Sequence, residues 1–538
     1  MAGLGALIRL ILRRDRVKLP LAIGLFIVLL VAMVPLLQET YGDSASLAAL
    51  YATLGASPAG LFMTGPMDGP TFGGLMTVET LIWWGIAVAI INTMLVVRHT
   101  RHNEEIGAQE LIMSGQVHRA SSLAAVLAVA LLMNLVIGLG VGFGFELVNP
   151  GWGPEQSWLY AAAVALFGFV WAGIATIVVQ LVESGRGANG MLAGLIGIGF
   201  ALRGIGDFMG KTGSDGLLEP HWISSLSPFG WLQATRPLTE SEWGPLWVSV
   251  IFVAAVIGLG FMLQMRRDVG AGLLPSRKGK LRASKFLSTP LGLTWYLQKN
   301  VFIGWLFGVM ALAGTIGALT PQMSEIYSES DSIGKLLAMA ESEEMTSSFL
   351  SLMLAITCVL VFAYAIHGLS KIRSEESSGR LESLLATKYS RLGGVLLHSG
   401  MVFGAGTIML VASGLVLAVL TNQLSGLTVD VWEYVMAGLS YAPILLAFIG
   451  LYLLLFGFLP RLAGGVVWLY FGFVFFAMWL GPIVRLSQEV MNLSVLEHVA
   501  TPPAEAIDWL PVAIIGSFAL VMTVAGLVRL SRRDIVSS

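Results

Sequence analysis

Charged residues are scarce in this chain. Asp, Glu, Lys and Arg make up 12% of its 538 residues, whereas about 25% is usual in soluble domains. Cysteine is nearly absent too, and the single Cys358 lies in an apolar run, which excludes a disulfide framework and a cysteine-based metal site and predicts a buried, inert thiol. Hydrophobic residues reach 56%, more than a soluble core can bury. The composition therefore predicts an all-α, polytopic membrane protein.

Ionisable residues are missing from the middle of the long apolar runs. Six stretches contain no Asp, Glu, Lys, Arg or His: 81–97, 121–145, 159–182, 302–321, 350–366 and 434–459. Proton- or sodium-coupled carriers and intramembrane enzymes place such groups near the membrane midplane. A proton-coupled drug antiporter and a polytopic transferase acting on lipid-linked substrates are therefore disfavoured. We expect the power source to lie outside the membrane domain.

A nucleotide-binding loop is missing as well. Gly210-Lys211-Thr212 resembles the end of a Walker A loop, but Ile205 stands where that loop requires its first glycine. Gly204 misses the spacing by one residue. The chain is therefore predicted not to be an enzyme by itself, with no catalytic residue, metal ligand or cofactor of its own.

Twelve apolar runs approach the length of about 20 residues that crosses a bilayer as a helix. These predicted spans 1 to 12 are 19–38, 77–97, 120–146, 158–182, 190–208, 245–265, 301–321, 350–369, 393–421, 434–459, 462–484 and 509–529. With both termini in the cytoplasm, 26 of the 31 Lys and Arg residues fall in cytoplasmic segments, as the positive-inside rule requires. We therefore expect a multi-pass protein of the cell membrane with cytoplasmic termini.

The second half of the chain repeats the first at a shift of 272 residues. The loops 101–119 and 373–391, which follow spans 2 and 8, match at five positions: Arg101 with Arg373, Glu104 with Glu376, Gly107 with Gly379, Glu110 with Glu382, and Arg119 with Arg391. Both halves also end alike, in Arg266-Arg267-Asp268 and Arg532-Arg533-Asp534. Six spans per half make the repeat parallel, and a pathway is expected between the halves.

This repeat predicts four parts. They are an N-terminal amphipathic connecting helix (1–18), a first six-helix half (19–268), a linker with a second connecting helix (269–300) and a second six-helix half (301–534). Each repeated loop is predicted to form a short helix along the membrane surface, which could transmit force from a cytoplasmic partner. A plain solvated loop is the alternative. For the first segment, the alternative is a set of snorkelling basic anchors.

A long external segment, 203–243, separates spans 5 and 6. It contains Arg203-Gly204-Ile205-Gly206-Asp207 and Leu226-Ser227-Pro228-Phe229-Gly230-Trp231, and its counterpart in the second half is 485–508. Glycine, proline and aromatic residues of this kind predict short re-entrant helices over a pathway exit, with simple loops as the alternative. Arg203 and Asp207 can pair on one helical face, either as part of a gate with Pro228 and Trp231 or as a surface pair worth under about 1 kcal/mol.

Four motifs carry a family resemblance: RRDRVKLP (13–20), RGIGD (203–207), LSPFGW (226–231) and RRDVGAGLLPSR (266–277). With them the chain resembles actinobacterial permeases of tetronasin or polyketide antibiotic exporters, which are fused-half members of the type-2 ABC exporter permeases. The resemblance covers essentially the whole chain, although the second half lacks a clean LSP-type motif.

The resemblance implies a permease subunit that exports hydrophobic or amphipathic drug-like molecules. A separately encoded ABC ATPase would dock as two copies and bind ATP and Mg²⁺, and membrane lipids but no nucleic acid would be partners. The repeated loops would be coupling helices, with Arg101, Glu104, Glu105, Gly107, Glu110, Arg373, Glu375, Glu376, Gly379 and Glu382 as coupling residues. Spans 2, 5, 8 and 11 would line the pathway, with Trp83, Trp84, Asn92, Phe471 and Phe475 as substrate contacts. For most of the aromatic rings in spans 2 and 11, the alternative is packing against lipid. The alternative is an ABC-type mechanotransmission protein that moves external segments without transport.

Overall fold

The computed structural model divides the chain into two compact units, Met1–Gly279 (unit 1) and Lys280–Ser538 (unit 2). The residues that it describes are 3–42, 44–56, 58–115, 117–148, 151–212, 218–274, 282, 284–329, 342–377, 379, 382, 385–386, 390–424, 428–480 and 486–534. Nearly all regular structure in these residues is helical.

Unit 1 contains spans 1 to 6 and several short helices. The spans are Lys18–Tyr41, Phe72–Glu105, Ser121–Val148, Pro154–Leu181, Gly185–Phe208 and Gly244–Arg266. The other helices are Leu4–Arg14, Ser44–Ala56, Pro58–Thr64, Ala108–Met113, the 3-10 turn Ser224–Leu226 and Pro228–Gln233. Span 2 includes a wide turn, Thr77–Leu81, with π-helical hydrogen bonding.

Unit 2 contains spans 7 to 12. They lie in the helices Pro290–Glu329, Ser342–Ser377, Arg391–Leu424, Val431–Ser440 with Ala442–Phe458, Ala463–Leu480 and Trp509–Arg532. A helix Gln488–Met491 and a 3-10 turn Val495–His498 stand between spans 11 and 12.

The prediction of an all-α polytopic membrane protein is confirmed. In the described part of the chain, eleven helices are long and apolar enough to cross a membrane. The helix in span 11 is shorter, and the last residues predicted for that span, 481–484, lie outside the described residues. The two-residue strands Lys211–Thr212 and Leu218–Glu219 pair antiparallel, with Lys211 opposite Glu219. The Walker-like residues Gly210-Lys211-Thr212 therefore belong to a small hairpin after span 5.

The two units use the same helix neighbours. In unit 1, span 4 packs against spans 2, 3 and 6, and span 1 packs against span 3. In unit 2, span 10 packs against spans 8, 9 and 12, and span 7 packs against span 9. Spans 10 and 12 approach closely at glycines, since a Cβ on Gly526 would lie 2.5 Å from the carbonyl oxygen of Leu453. Small residues at such crossings let helix backbones pack directly.

The segments before spans 1 and 7 differ from each other. The predicted N-terminal helix is present as Leu4–Arg14, packs on span 3 through buried Leu7 and Ile11, and is separated from span 1 by a turn. The predicted second connecting helix is instead continuous with span 7, because a single helix, Pro290–Glu329, runs through the junction at residue 300. Cys358 is buried in span 8, as predicted.

Candidate functional site

The repeated loop of unit 1 consists of two short helical turns joined by a glycine. Arg101–Glu105 continues span 2, and Ala108–Met113 follows. Gly107 joins them with φ of 73°, a left-handed conformation that glycine adopts without strain. The predicted short helix is therefore present after span 2, with six residues.

Glu104 lies between two arginines, Arg101 and Arg267, where the loop meets the spans. Its carboxylate accepts hydrogen bonds from Arg101 Nη1 at 2.7 Å, and from Arg267 Nη1 at 2.9 Å and Nη2 at 2.5 Å. Arg101 also donates to the carbonyl oxygens of Val179 and Ala271. Arg267 donates to Gln180 Oε1. The cluster thus ties the loop after span 2 to the ends of spans 4 and 6.

Glu376 occupies the corresponding position in unit 2. Its carboxylate accepts from Arg533 Nη2 at 2.7 and 2.8 Å and from Arg391 Nη2 at 3.4 Å. Arg391 also donates to the carbonyl oxygen of Arg533. The repeated glutamate and the repeated Arg-Arg-Asp end of each half are therefore partners, in unit 1 as Glu104 with Arg267 and in unit 2 as Glu376 with Arg533.

The backbone of the two loops repeats as well. Gly379 has φ of 72°, and the amide of Glu382 donates to the carbonyl oxygen of Gly379 as that of Glu110 does to Gly107. In the next turn, the amide of Ala386 donates to the carbonyl oxygen of Glu382, as the amide of Ser114 does to that of Glu110. Most other residues of 378–389, where the second surface helix is predicted, lie outside the described residues.

Two of the predicted coupling residues, Glu104 and Glu376, are not accessible to a docked partner, and for them the prediction is corrected. Their side chains are only 10% and 4% exposed, because arginines of their own unit surround them. The exposed glutamates are Glu105, Glu110 and Glu382. Glu375 is half-buried, and Arg373, which corresponds in sequence to Arg101, is also half-buried.

A second ionic group fastens the N-terminal helix to span 2. Asp15, which is 3% exposed, lies 2.9 Å from Arg98 Nη2 and 2.6 Å from His99 Nε2. Arg14 Nη1 donates to Asn103 Oδ1 at 2.7 Å. Sequence reasoning missed Asp15 and His99 because they stand 84 residues apart. In unit 2, Lys371, 272 residues after His99, donates to the carbonyl oxygen of Leu297 before span 7.

At the opposite end of unit 1, Arg203 is buried and caps a short helix. Its guanidinium lies 3.1 Å from Asp207 Oδ2 and donates to the carbonyl oxygens of Phe62 at 2.8 Å and Met63 at 2.9 Å, in the last turn of Pro58–Thr64. Neither side chain of the pair is exposed, so the alternative of a surface pair is excluded. Helix carbonyls at a C-terminus favour a cation at this position.

The Arg-Gly-Ile-Gly-Asp motif packs closely against the neighbouring segments at this end of unit 1. Gly204 and Gly206 permit close packing, since a Cβ would lie 2.6 Å from the Phe62 carbonyl oxygen and 2.3 Å from the Ser224 amide. Ser224 Oγ also donates to Asp207 Oδ1 at 3.3 Å. The Arg-Gly-Ile-Gly-Asp motif therefore holds residues 61–63 on one side and the turn at Ser224 on the other.

The Ser-Pro-Phe-Gly-Trp motif forms a short helix over the end of span 5. Ser227 caps Pro228–Gln233 by accepting from the Phe229 amide and donates to the Gly199 carbonyl oxygen. Pro228 takes the first helical turn, where its missing N–H costs nothing. Trp231 Nε1 donates to Ser225 at 2.7 Å. The structure thus brings all four predicted gate residues, Arg203, Asp207, Pro228 and Trp231, to one end of unit 1.

Unit 2 builds its external segment differently. The residues 272 positions after Arg203 and Asp207 are Phe475 and Trp479, so the ion pair is not repeated. Segment 486–508 packs instead on span 11, where Tyr470 Oη donates to the carbonyl oxygen of Leu493 and accepts from the amide of Val495. The Ala504 amide also donates to Ser351 Oγ.

The predicted substrate contacts occupy different environments. Asn92 is fully buried and exchanges two hydrogen bonds with Asn134 of span 3, at 3.1 and 2.7 Å. Because this amide is occupied inside unit 1, its prediction as a pathway residue is corrected: it holds spans 2 and 3 together. Trp84 packs edge-on against Phe26 of span 1. Phe471 contacts Phe448 and Trp468 within unit 2.

Trp83 and Phe475 remain on the outer faces of their units, with 41% and 37% exposure. Trp83 lies 6.3 Å from Phe200 between ring centres. These two are therefore the predicted substrate contacts that present the most ring surface outside their own helical unit.

Comparison with known proteins gives a consistent result. Residues 21–263 and 287–530 each match the family model described as "Multidrug efflux system permease Rv1217c, C-terminal domain". The multidrug efflux system permease protein Rv1217c of Mycobacterium tuberculosis (strain ATCC 25618 / H37Rv) is 29% identical over 543 residues, which cover 99% of this chain and 95% of that protein.

A solved outward-facing multidrug resistance transporter of the MATE family, in the MOP superfamily, aligns over 95% of this chain and 96% of its own, with 12% identity and a TM-score of 0.25. That score is too low to assign a shared fold. The family model, in contrast, matches both units over nearly their whole length, and its two matches follow the sequence repeat. The chain belongs to the family of the multidrug efflux system permease Rv1217c, C-terminal domain.

Proposed function

We propose that the chain is the membrane subunit of an ATP-driven ABC exporter. It moves hydrophobic or amphipathic drug-like molecules out of the cell, and a separately encoded ATPase, which binds ATP and Mg²⁺, docks on it as two copies. Membership of a multidrug efflux permease family and the name of the Mycobacterium tuberculosis relative support the cargo class. The resemblance to tetronasin and polyketide exporters supports the same class.

The observation that carries ATPase coupling is the braced, repeated loop. Both loops turn at a glycine with positive φ. In both, a glutamate of the loop binds the arginine at the end of the same half and so fixes the loop to the last span of that half. Two equivalent rigid elements on the predicted cytoplasmic side match an ATPase that docks as two copies. A push on either loop would pass through Glu104 or Glu376 to spans 6 or 12.

The exposed side chains of the loop define its docking surface. In unit 1 they include Ile106 at 57% exposure, Leu111 at 78%, and the carboxylates of Glu105 and Glu110. An apolar centre with charged neighbours is the usual composition of a protein interface. In unit 2, Glu382 occupies the place of Glu110. Glu104 and Glu376 support this surface and do not belong to it.

The test is to reverse the exposed charges. The Glu110→Lys/Glu382→Lys chain would be co-expressed with the ABC ATPases of the same genome, and complex yield and drug-stimulated ATP hydrolysis would be measured in nanodiscs. We expect loss of assembly or of drug stimulation, because removing one partner of a close interfacial charge pair costs roughly 2–5 kcal/mol. The matched control is Glu219→Lys/Glu489→Lys, which reverses exposed glutamates on the predicted external side.

Two results would contradict the proposal. One is that no ABC ATPase assembles with the unmodified chain. The other is drug efflux that survives ATP depletion and stops with a protonophore. Mechanotransmission without transport is separated by ethidium accumulation in cells: an exporter lowers it only while the ATPase is active, whereas a mechanotransmission protein leaves it unchanged.

A further inference from the structure

A cleft of about 600 Å³ opens in unit 1 beside the external segment. Its walls come from the loop before span 2, the hairpin and short helix of the external segment, and the start of span 6. The side chains that matter most are Asp68, Trp222, Trp231, Arg236, Glu240 and Glu242. Ligand pockets in proteins have volumes of roughly 300–1,000 Å³, so the cleft is large enough for a drug-sized molecule.

The cleft carries an excess of negative charge. Three carboxylates, Asp68, Glu240 and Glu242, face one guanidinium, Arg236. Arg236 is shared, because it lies 3.4 Å from Asp68 and 2.6 Å from Glu240. Asp68 is the deepest of the acids, with a side chain 6% exposed. One guanidinium cannot neutralise three carboxylates, so a further cation in the cleft is electrostatically favoured.

Asp68 lies in a loop outside the spans, and its burial changes the pKa of its carboxyl. Loss of water raises the pKa of its carboxyl to about 6, while Arg236 opposes the rise and Glu240 and Asp207 add to it. A buried carboxylate that is incompletely paired is stabilised by any ligand that supplies positive charge.

Aromatic rings form part of the walls. Trp222 is 64% exposed, and the His221 ring lies 5.6 Å from it. Trp231 is held in place by its bond to Ser225 and by an edge contact with Phe252 at 5.0 Å. Tryptophan faces attract organic cations, and rigid rings bind apolar groups with little loss of side-chain entropy.

We propose that this cleft binds an amphipathic organic cation, an ammonium or phosphonium group carried on an aromatic or alkyl body. The carboxylates would hold the charge and the tryptophans the apolar body. The inference rests on the proposed function only in that the cation would be a cargo molecule. All the lining residues belong to unit 1, so binding requires neither unit 2 nor an ATPase. An ammonium group could come from a free drug or from a lipid headgroup.

The experiment measures equilibrium binding of tetraphenylphosphonium to the purified full chain in nanodiscs without any ATPase. Tetraphenylborate, which has nearly the same shape and the opposite charge, is the matched probe. We expect the phosphonium to bind at least about tenfold more tightly than the borate, a difference of about 1.4 kcal/mol. Equal affinities would overturn the proposal, because they would show apolar binding without charge selection.

Substitutions locate the site. Asp68→Asn/Glu242→Gln should weaken phosphonium binding by about tenfold, and Trp222→Ala by about two- to fivefold. Glu219→Gln is the control, since Glu219 is exposed at the same end of unit 1 but does not line the cleft. Trp222 is largely exposed, so its substitution tests the site even if the double variant folds poorly. Unchanged affinity in Trp222→Ala and in a folded double variant would also overturn the proposal.

A pH series tests the role of Asp68. Above pH 6 its carboxyl is ionised and attracts the probe, and below pH 6 it is neutral, so affinity should fall as the pH is lowered from 7.5 to 5. Arg236, Glu240, Glu242, Asp207 and His221 also face this region, and their contributions persist in Asp68→Asn. The proposal therefore requires a smaller pH effect in Asp68→Asn than in the unmodified chain, and an equal effect would contradict it.

Lipid composition distinguishes the two sources of the cation. Anionic phosphatidylglycerol attracts the phosphonium by itself, so binding is compared after the signal of empty nanodiscs of the same lipid is subtracted and at equal concentrations of free probe near the membrane. If the site takes lipid headgroups, phosphatidylethanolamine should then weaken binding relative to phosphatidylglycerol, whereas a site for free cations should show no such competition. Either result supports the same chemistry. Because the assay contains no ATPase, a failure here leaves the test of ATP-driven export unaffected.

Discussion

Glu104 shows how a repeated residue can be important without contacting a partner protein. It binds two arginines, one in its own loop and one at the end of span 6. Arg101 and Arg267 are both nearly inaccessible to water, so Glu104 neutralises buried charge. Glu376 does the same for Arg533 and Arg391. The repeat therefore preserves an internal brace in each half.

Glu104→Gln should destabilise unit 1 by about 3 kcal/mol, because removing one member of a buried ionic group leaves charge uncompensated. The measurement is the thermal midpoint of the purified chain in detergent, followed by tryptophan fluorescence. Glu376→Gln should lower the midpoint in the same way. Glu110→Gln is the control, since Glu110 is exposed on the same loop. If all three variants melt together with the unmodified chain, the brace contributes nothing to stability.

The sequence identified these glutamates as repeated, but it did not show that their side chains point into their own unit. The shift of 272 residues marked Glu104 and Glu376 as repeated, and the Arg-Arg-Asp sequence that ends each half marked Arg267 and Arg533. Glu104 and Arg267 stand 163 residues apart, however, and no local spacing shows that they meet. The same holds for Asn92. From the sequence, one amide in an apolar span fits a ligand contact as well as it fits a hydrogen bond to Asn134 on the next span.

At the scale of elements, each repeated loop depends on the conformation of one glycine. Gly107 and Gly379 both have positive φ, and among the described residues a Cβ at either would meet no atom within 4 Å. Space is therefore available for a side chain, and only the backbone conformation requires glycine. This combination makes the two positions suitable for testing loop geometry separately from packing.

Gly107→Ala should loosen the loop, because a left-handed conformation costs a residue with a Cβ about 1–2 kcal/mol. We expect faster hydrogen exchange at two amides, that of Glu110, which donates to the carbonyl oxygen of Gly107, and that of Ser114, which donates to the carbonyl oxygen of Glu110. Gly107→Asn should have a smaller effect, since asparagine tolerates this conformation. Gly115→Ala provides the comparison, because Gly115 is not among the positive-φ glycines. Equal exchange in Gly107→Ala and Gly115→Ala would show that the loop does not need the left-handed turn.

The spans were predictable because each depends on a local property, a long apolar run. Their ends were less so. Span 2 begins at Phe72, before the predicted 77, since Thr71 caps an extra turn by accepting from the Gly74 amide. The helix containing span 7 begins at Pro290 because nothing between Leu291 and Val301 interrupts it. Polar residues at these ends lower the hydropathy without breaking the helix.

At the scale of the whole molecule, the two units share helix neighbours, loop turns and ionic braces but not their external segments. Unit 1 has the Arg203–Asp207 pair and the acidic, aromatic cleft. Unit 2 has Phe475 and Trp479 at the corresponding positions. The shared turns and braces lie at the end predicted to face the cytoplasm, where the two proposed copies of one ATPase would impose the same demand on both halves. The proposed cargo site lies in unit 1 alone, and it places no requirement for symmetry on the external ends.

This division depends on the predicted orientation, which cysteine labelling can test. Leu111→Cys and Glu382→Cys place thiols on the two repeated loops, and Glu219→Cys and Glu489→Cys place them on the two external segments, all at exposed positions. Native Cys358 is fully buried, so it gives little background, and Cys358→Ala controls for it. By the positive-inside rule, a membrane-impermeant maleimide should label positions 219 and 489 in intact cells, and positions 111 and 382 only after permeabilisation. Labelling of 111 and 382 from opposite sides would instead require an inverted repeat, in which two docked ATPases could not reach both loops.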